Sequence, residues 1–288
     1  MRDSALPAAE VAPGDPASPV DYAALYDAHP DYVARRASGS LEQAQIDIEV
    51  HQFKLPQLMA VLPSGWAPRR VLEIGCATGE LIAAVPLAEG AQRVGIDISA
   101  ANVAAARARF GHVEFRCGDF RDLPAQSFDA VILSDVLEHV PDDVGFLRDA
   151  AALGDVVLLN LPLEDNWLNR RRRYGPHDVS GHLRRYSRAQ GLELVERAGL
   201  SVVAQRTVWF HETGAEAARR ELRRRRLGQA YAGGFLGRRL RQALFRAAAA
   251  WRPLGRRLFA SNLFVAARPI GAGPAAVPGR HGSPGAAP

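Results

Sequence analysis

The residues with the clearest chemical pattern are Val71–Glu80, which read Val-Leu-Glu-Ile-Gly-Cys-Ala-Thr-Gly-Glu. A short apolar run containing Glu73 leads into Gly75 and Gly79, and a helical pattern follows. Glycine is needed where the backbone takes a positive φ or approaches a ligand closely. The helix behind such a turn presents free N–H groups and a partial positive charge. The pattern therefore predicts a ligand-binding turn between a buried strand and a helix.

Two further acidic residues follow short apolar runs downstream. Asp97 lies in Gly-Ile-Asp-Ile, and Asp119 follows Cys-Gly. Parallel strands place their carboxyl ends at one edge of a sheet, where open α/β folds bind ligands. We therefore expect Glu73, Asp97 and Asp119 to lie at one site. Taken singly, Asp97 is as consistent with a helix N-cap, although Ser99 competes for that position, and Asp119 with a turn residue.

Short apolar runs alternate with helical patterns through the middle of the chain. The runs that predict strands are 70–74, 93–98, 113–116, 130–134, 156–161, 202–210 and 262–267. Strands that alternate with helices at this spacing predict an α/β fold with a doubly wound, mostly parallel seven-stranded sheet, covered by helices on both faces. Helices are expected at 77–85, 100–110, 142–153 and 187–198.

The segments outside this alternation have a different composition. The chain ends, 1–20 and 271–288, are rich in Ala, Pro or Gly and are predicted to be disordered tails. Residues 21–66 have a helical pattern, interrupted at Pro56, and are predicted to form an N-terminal cap. The core is then expected to span 67–211 and to be completed by a final strand within 259–270.

Between the core and that strand, residues 212–258 form a basic, amphipathic stretch. It contains 13 arginines and 3 glutamates, a local charge of +10 in a chain whose net charge is +5. Three interpretations remain open: a lid or oligomer contact packed on the sheet, contact with an anionic membrane surface, or nucleic-acid binding. No known nucleic-acid-binding module is recognisable, so no nucleic-acid partner is expected.

Composition limits the class of protein. Hydrophobic residues make up 48% and charged residues 23%, which is typical of a globular protein. The two cysteines, Cys76 and Cys117, lie in predicted core segments, so a disulfide framework is not indicated. No apolar run is long enough to span a bilayer, and no secretory signal is recognisable. We expect a cytoplasmic protein, with peripheral contact at the inner membrane face as an option through 212–258.

From about residue 68 to residue 205 the chain resembles the class I S-adenosylmethionine-dependent methyltransferases. Their first motif has an acidic residue and spaced glycines, and Glu73, Gly75 and Gly79 match it, with Ala77 where many members have a glycine. The resemblance implies that Asp97 accepts the ribose hydroxyls, that Asp119 accepts from the adenine amino group and that Phe120 flanks the adenine ring. The cofactor-binding residues that we expect from it are Glu73, Gly75, Cys76, Ala77, Gly79, Asp97, Ile98, Asp119, Phe120 and Ser134.

A nicotinamide dinucleotide is the alternative ligand for a glycine turn of this kind. It requires Gly-x-Gly-x-x-Gly and a site for a pyrophosphate. The turn lacks that spacing, and Glu73 would repel phosphates. A cationic sulfonium cofactor without phosphate suits an acidic rim better.

Methyl transfer to a hydroxyl mainly needs alignment of the two reactants and a base within hydrogen-bond reach. The candidate catalytic residues are His139, after the fourth predicted strand, and His177, His182 and Tyr186, in the loop after the fifth. Gly181–Ser187 (Gly-His-Leu-Arg-Arg-Tyr-Ser) resembles a recurrent segment of bacterial methyltransferases that act on small molecules and glycans. The alternative is that His182 only pins the loop to the sheet and that Ser187 caps the next helix.

Asp135, Glu138 and His139 resemble the cluster of acidic residues and histidine in metal-dependent O-methyltransferases. Two carboxylates and an imidazole are able to hold a divalent ion. The same Leu-Glu-His-Val sequence is common in metal-free members of the fold, where it shapes the cofactor pocket, so no metal is expected. The sequence thus predicts a methyltransferase, with O-methylation of a small-molecule or glycan- or lipid-linked acceptor favoured. N-methylation and a non-catalytic cofactor-binding subunit remain as alternatives.

Overall fold

The computed structural model describes residues 22–28, 30–37, 39–62, 65–166, 169, 172–175, 178, 181–227 and 251–271. Both predicted tails lie outside these residues, except for Gly271. The strands are β1 Arg70–Ile74, β2 Gln92–Asp97, β3 Glu114–Cys117, β4 Phe128–Ser134, β5 Gly154–Pro162, β6 Leu200–Val208 and β7 Asn262–Pro269. The helices are α1 Tyr22–Ala28, α2 Pro30–Ala37, α3 Ser40–Glu49, α4 Leu55–Met59, α5 Glu80–Ala84, α6 Ala100–Arg109, α7 Asp143–Ala151, α8 Arg188–Arg197, α9 Ala215–Leu227 and α10 Arg252–Phe259.

The seven strands form one sheet in the order β3-β2-β1-β4-β5-β7-β6. The pairs among β1 to β5 are parallel, whereas β7 lies between β5 and β6 and is antiparallel to both. The predicted seven-stranded, mostly parallel sheet is therefore confirmed. The direction of the chain order reverses between β1 and β4, which is where open α/β sheets form a crevice at the carboxyl ends of their strands.

Helices cover both faces of the central strands, and alternate residues of each strand point to opposite faces. In β4, Val131 and Leu133 pack with α7 and α8, while Ala130 and Ile132 pack on the other face with α3 to α6 and α9. The central strands are accordingly almost continuously apolar, as parallel strands covered on both sides must be.

Local sequence explains where the helices near the site begin and end. Ser99 Oγ accepts from the N–H of Asn102 and caps α6, and Ser187 and Gln190 form a capping box at the start of α8. Gly199, with φ +79°, ends α8 at the expected position. The helix that we expected to begin at Ala77 begins at Glu80, since the turn before it contains left-handed residues at Ala77 and Gly79.

The N-terminal cap consists of short helices. Between α3 and α4, residues Val50–Lys54 form one π-helical turn, in which the N–H of Leu55 donates to the carbonyl of Val50. Pro56 lies two residues after this turn and has no N–H to continue an α-helical ladder. The irregularity that we expected at Pro56 therefore takes the form of a wider turn just before it.

Part of the basic stretch packs on the core. In α9, Ala215 and Leu222 are buried against the face of the sheet that α3 covers. The guanidinium of Arg219 lies 4.8 Å from the ring centre of Phe210, and Trp251 is exposed. Residues 228–250 lie outside the described part of the chain. No helix among the described residues is long and apolar enough to cross a membrane.

Candidate cofactor and acceptor site

A cavity of about 440 Å³ lies at the carboxyl ends of β1, β2 and β4. Its volume falls within the ~300–1,000 Å³ usual for small-molecule sites. One side is formed by the glycine turn and the ends of β2 and β3, and the other by residues after β4 and by the N-terminal helices. The lining residues on which the site depends are Tyr22, Tyr26, Tyr32, Gly75, Ala77, Asp97, Ile98, Asp119, Phe120, Asp135, His139 and Phe146.

The glycine turn bends the chain so that its backbone reaches the cavity. Gly75 has φ +71°, and its N–H donates to the carbonyl of Ile96 over 2.8 Å. A Cβ at Gly75 would lie 2.8 Å from a methyl carbon of Val136, and one at Gly79 would lie 2.5 Å from Phe115. Both glycines are thus required by conformation and by space. Cys76 and Gly79 belong to this turn, but they do not line the cavity.

Asp97 is held rigidly at the end of β2. Its two carboxylate oxygens accept from the N–H groups of Ala77, over 2.8 Å, and Ser99, over 2.9 Å. Burial raises the pKa of Asp97 above its usual value, against the opposing effect of these backbone donors. The side chain of Asn102 also hydrogen-bonds to this carboxylate, which still leaves part of its acceptor capacity for a hydroxyl group of a ligand.

Asp119 and Phe120 lie beside Asp97 at the end of β3. Asp119 accepts from the N–H of Arg121, and the Arg121 side chain also pairs with it over 3.2 Å. Phe120 is buried against Phe146, with ring centres 4.8 Å apart, while Ile98 is 41% exposed toward the same cavity. An apolar slot with one carboxylate at its edge is suited to a flat, amine-bearing ring such as adenine.

Glu73 has a different position from the other acidic residues. It is buried and does not line the cavity, and its carboxylate accepts from the N–H of Ile82 in α5 over 2.9 Å. Burial raises the pKa of Glu73 to about 8. In this geometry Glu73 connects β1 to α5 and positions the glycine turn. Ser134 is also outside the lining, and its hydroxyl accepts from Asn160 over 3.0 Å.

These features fit S-adenosylmethionine. The rim of the cavity carries four carboxylates, from Asp97, Asp119, Asp135 and Asp142, and the backbone turn has the glycine conformation required for close approach. Carboxylates favour a cationic sulfur and ribose hydroxyls over a phosphate-bearing nucleotide. Asp97 would hold the ribose, and Asp119, Ile98 and Phe120 would hold the adenine.

The N-terminal helices close the outer side of the cavity, which the sequence alone did not predict. Asp27 accepts from Ser99 Oγ and from the N–H of Ala101, and Arg36 donates to Asn102 Oδ1 over 2.8 Å. These contacts attach α1 and α2 to the start of α6. They bring Tyr22, Tyr26 and Tyr32 over the cavity. In the sequence, the one indication of this cover is the spacing of four residues between Tyr22 and Tyr26, which places both on one face of α1. That spacing does not specify which surface the face covers.

Two histidines from distant segments meet at the inner end of the site. The rings of His139 and His182 are perpendicular, with centres 4.7 Å apart, and His139 lines the cavity. His139 Nδ1 lies 3.1 Å from the carbonyl oxygen of Gly181, so this nitrogen carries the proton and Nε2 presents a lone pair. Burial, together with His182, lowers the pKa of His139 to about 4, which keeps the ring neutral near pH 7.

Glu138 is next to these histidines and is completely enclosed. Its side chain is 1% exposed, and Oε1 lies 3.7 Å from His139 Nε2. Burial, reinforced by Asp135, raises the pKa of Glu138 well above its usual value. Asp135, the third member of the predicted cluster with Glu138 and His139, instead forms an ion pair with Lys54 over 2.6 Å. The histidine that joins Glu138 and His139 is His182.

The remaining candidates for catalysis are placed differently. The hydroxyl of Tyr186 is buried, lies 2.7 Å from Asp143 Oδ2 and 3.1 Å from the Leu137 carbonyl, and does not line the cavity. Its geometry attaches the loop after β5 to the start of α7. His177 lies outside the described residues.

Comparisons with known proteins show which family this sequence resembles. A family described as a methyltransferase domain matches residues 47–205. A ubiquinone biosynthesis O-methyltransferase of Bradyrhizobium sp. (strain ORS 278) is 39% identical over 107 residues, which are 34% of this chain and 41% of that protein. A probable S-adenosylmethionine-dependent methyltransferase of Mycolicibacterium smegmatis is 35% identical over 155 residues, 51% of this chain and 58% of that protein. The chain therefore matches less than two thirds of the length of either relative.

Solved structures show the same fold at low sequence identity. Magnesium protoporphyrin IX methyltransferase from Synechocystis PCC 6803, with bound S-adenosylhomocysteine, superposes with a TM-score of 0.52 at 17% identity, covering 86% of this chain and 98% of that one. Phosphoethanolamine N-methyltransferase 2 of Haemonchus contortus, in complex with S-adenosylmethionine, gives 0.52 at 19% identity, covering 83% and 59%. With the family match over more than half of the sequence, these findings establish that the chain belongs to the class I S-adenosylmethionine-dependent methyltransferases.

Proposed function

We propose that this methyltransferase transfers the methyl group to a hydroxyl oxygen of a small-molecule or glycan- or lipid-linked acceptor. The observation that carries the proposal is that His139, next to His182 and Glu138, lines the same cavity as Asp97 and Asp119. S-adenosylmethionine supplies a methyl group on a positively charged sulfur. A hydroxyl acceptor must lose its proton during the transfer, and His139 is a polar group at the cavity wall toward which that hydroxyl can point.

The walls around His139 suggest which part of an acceptor enters. Tyr26 makes an edge-on contact with His139, with ring centres 5.9 Å apart, and Tyr32 packs on Tyr26 at 5.4 Å. Val140 and Pro141 continue this largely apolar wall. An acceptor whose hydroxyl is carried on an aromatic or otherwise apolar group would fill this space, and the names of the O-methyltransferase relatives support hydroxyl over amine.

The chain's own residues contribute alignment and exclusion of water. The tyrosines of α1 and α2 cover the cavity, and the contacts of Asp27 and Arg36 with α6 hold that cover in place. Holding the acceptor oxygen against the methyl group is the main contribution expected for this reaction. In this role His139 orients the acceptor hydroxyl and accepts a hydrogen bond from it.

A test is to incubate the full chain with methyl-labelled S-adenosylmethionine and three acceptor pools: phenols, aliphatic alcohols including glycans, and primary amines. We expect labelled methyl ethers from one of the two hydroxyl pools and none from the amines. Labelled amines alone would replace the proposal with N-methylation. Tight cofactor binding without transfer to any pool would favour a non-catalytic, cofactor-binding subunit.

The role of the basic stretch 212–258 is a separate question, in which packing on the core is weighed against contact with an anionic membrane. Because Ala215 and Leu222 of α9 are buried in the core, the apolar residues of that helix support a packed role there. Vesicle flotation with and without acidic lipid tests the alternative of membrane contact. Binding that depends on acidic lipid would favour that contact, whereas no binding to either vesicle would favour the packed role.

A further inference from the structure

We infer that Glu138, His139 and His182 form a binding site for a divalent transition-metal ion at the inner end of the cavity. Each of these residues offers one ligand atom, and these atoms lie within 4.8 Å of one another. A small rearrangement of side chains would bring three such atoms around one ion, whose bonds to protein nitrogen and oxygen are about 2.0–2.2 Å long. These three residues make up the Glu–His–His cluster.

The first observation that points to an ion is the state of Glu138. Its side chain is 1% exposed, and neither carboxylate oxygen has a hydrogen-bond partner within the described part of the chain. A buried carboxyl group without partners is strongly unfavourable, and such groups in native proteins require an explanation. A bound cation would satisfy both oxygens and balance the charge.

The second observation is the orientation of the two imidazoles. His139 Nδ1 donates to the carbonyl of Gly181, and His182 Nδ1 lies 2.5 Å from Glu164 Oε2. With both Nδ1 atoms occupied, both histidines present Nε2 as the atom with a lone pair. Metal-binding histidines almost always donate their other ring nitrogen to a carboxylate or a backbone carbonyl, and both versions are present here.

Hydrogen bonds and ion pairs around the Glu–His–His cluster hold its members close together without a bound ion. The N–H of Leu183 donates to the carbonyl of Glu138 over 2.8 Å, which joins the segment after β4 to the loop after β5. Glu164 is in turn paired with Arg172, whose guanidinium also donates to Asp178 over 2.7 and 3.0 Å. The partner of His182 is therefore itself fixed in position, as expected for a residue that supports a ligand.

The ligand atoms indicate the class of metal. Two imidazole nitrogens and one carboxylate oxygen suit Zn²⁺, Co²⁺, Fe²⁺ or Mn²⁺, whereas Ca²⁺ and Mg²⁺ prefer sites made entirely of oxygen. Asp135, whose charge also acts on Glu138, is paired with Lys54, which leaves three protein ligands and open positions. If the proposed O-methylation holds, an ion beside His139 would polarise the acceptor hydroxyl, and His139 would then act as a ligand.

The experiment uses the full chain after treatment with a chelator, without cofactor or acceptor. Titration with ZnCl₂ in a calorimeter is expected to show one equivalent bound, and CoCl₂ is expected to produce visible absorption bands of the bound ion. Glu138→Gln keeps the shape and removes the charge, so we expect binding weaker by more than ~100-fold. Glu164→Gln leaves the three ligand residues unchanged but removes the charged partner of His182 and of Arg172, and it is expected to weaken binding by ~10- to 100-fold.

His112→Ala, at an exposed histidine outside the cavity, is the matched control and is expected to bind Zn²⁺ like the wild type. Thermal unfolding of each metal-free variant reports whether it is folded, and His182→Gln replaces Glu138→Gln if the latter is not. Less than one equivalent bound by the wild type, or equal affinity in wild type, Glu138→Gln and His182→Gln, would overturn the inference. These outcomes are independent of the acceptor, so hydroxyl methylation without metal binding would leave the proposed function standing.

Discussion

Lys54 and Asp135 form an ion pair at the wall of the cavity, with Nζ of Lys54 2.6 Å from Oδ2 of Asp135. Lys54 is the only lysine of the chain, and it lies at the end of the π-helical turn in the N-terminal cap. Asp135 has φ +56° and also accepts from the side-chain amide of Asn160 over 3.2 Å. Asn160 accepts in turn from Asn262 over 2.9 Å, so the pair connects the cap to the central strands.

This pair predicts energetic coupling between the cap and the sheet. Burial opposes the charge on Lys54, but Asp135 and Glu49 outweigh it and hold the pKa of Lys54 above its usual value. The side chains are 19% and 29% exposed, so removal of either partner is expected to cost about 1–3 kcal/mol, less than for a fully buried pair. A double-mutant cycle of Lys54→Met and Asp135→Asn, followed by urea unfolding, should show coupling of about 0.5–3 kcal/mol. Strictly additive effects would show that the pair does not connect the two parts.

Asp97→Asn is expected to weaken binding of S-adenosylmethionine by ~10- to 150-fold, because hydrogen bonds to a charged acceptor are each worth about 1.5–3 kcal/mol. The matched control is Asp129→Asn. Asp129 also accepts from two backbone N–H groups, those of Arg69 and Arg70, but it does not line the cavity. Calorimetric titration of both folded variants with the cofactor checks this. Equal affinities in the two variants would remove Asp97 from the binding site.

Gly79→Ala should reduce the free energy of unfolding through two effects. The positive φ of +86° costs a residue with a Cβ about 1–2 kcal/mol, and the new Cβ would overlap Phe115 at 2.5 Å, which adds about 1–3 kcal/mol. Gly90→Ala separates these effects, since Gly90 has φ +78° and nothing within 4 Å of its Cβ position. Denaturant unfolding should therefore show a smaller loss for Gly90→Ala. Similar losses would mean that space at Gly79 is not limiting.

Glu73 predicts how stability depends on pH. Because burial raises its pKa from 4.5 to about 8, the folded protein keeps a proton that the unfolded chain releases. Stability from this group is present in full below the unfolded pKa and is lost as pH rises through the interval up to about 8. Glu73→Gln cannot lose that proton, so its stability relative to the wild type should increase across this interval by about 1.4 kcal/mol per pKa unit.

Urea unfolding of wild type and Glu73→Gln without cofactor, at about pH 5.5 and about pH 8, measures this difference. Glu114→Gln serves as the control, because that side chain is 53% exposed. If the stability curves of wild type and Glu73→Gln run parallel over this interval, Glu73 is not held protonated in the folded protein.

Local sequence was sufficient for the central strands and for the elements that meet at the cavity. Apolar runs with β-branched residues specify buried parallel strands, and the order of strand, acidic residue and glycine turn places Gly75, Asp97 and Asp119 at one edge. Ser99 and Ser187 as helix caps and Gly199 as a helix end are equally local, because their hydrogen bonds and dihedral angles involve neighbours within a few residues.

The inner end of the site depended on contacts between residues far apart in the chain. His182 lies beside His139 where the N–H of Leu183 donates to the carbonyl of Glu138, and Asp135 pairs with Lys54 where the cap packs on the sheet. Contacts between distant residues also place β7 between β5 and β6. They likewise bring Tyr22, Tyr26 and Tyr32 over the cavity. Residue type and periodicity specify which face of an element is buried, but the partner of that face is decided by packing of the whole chain.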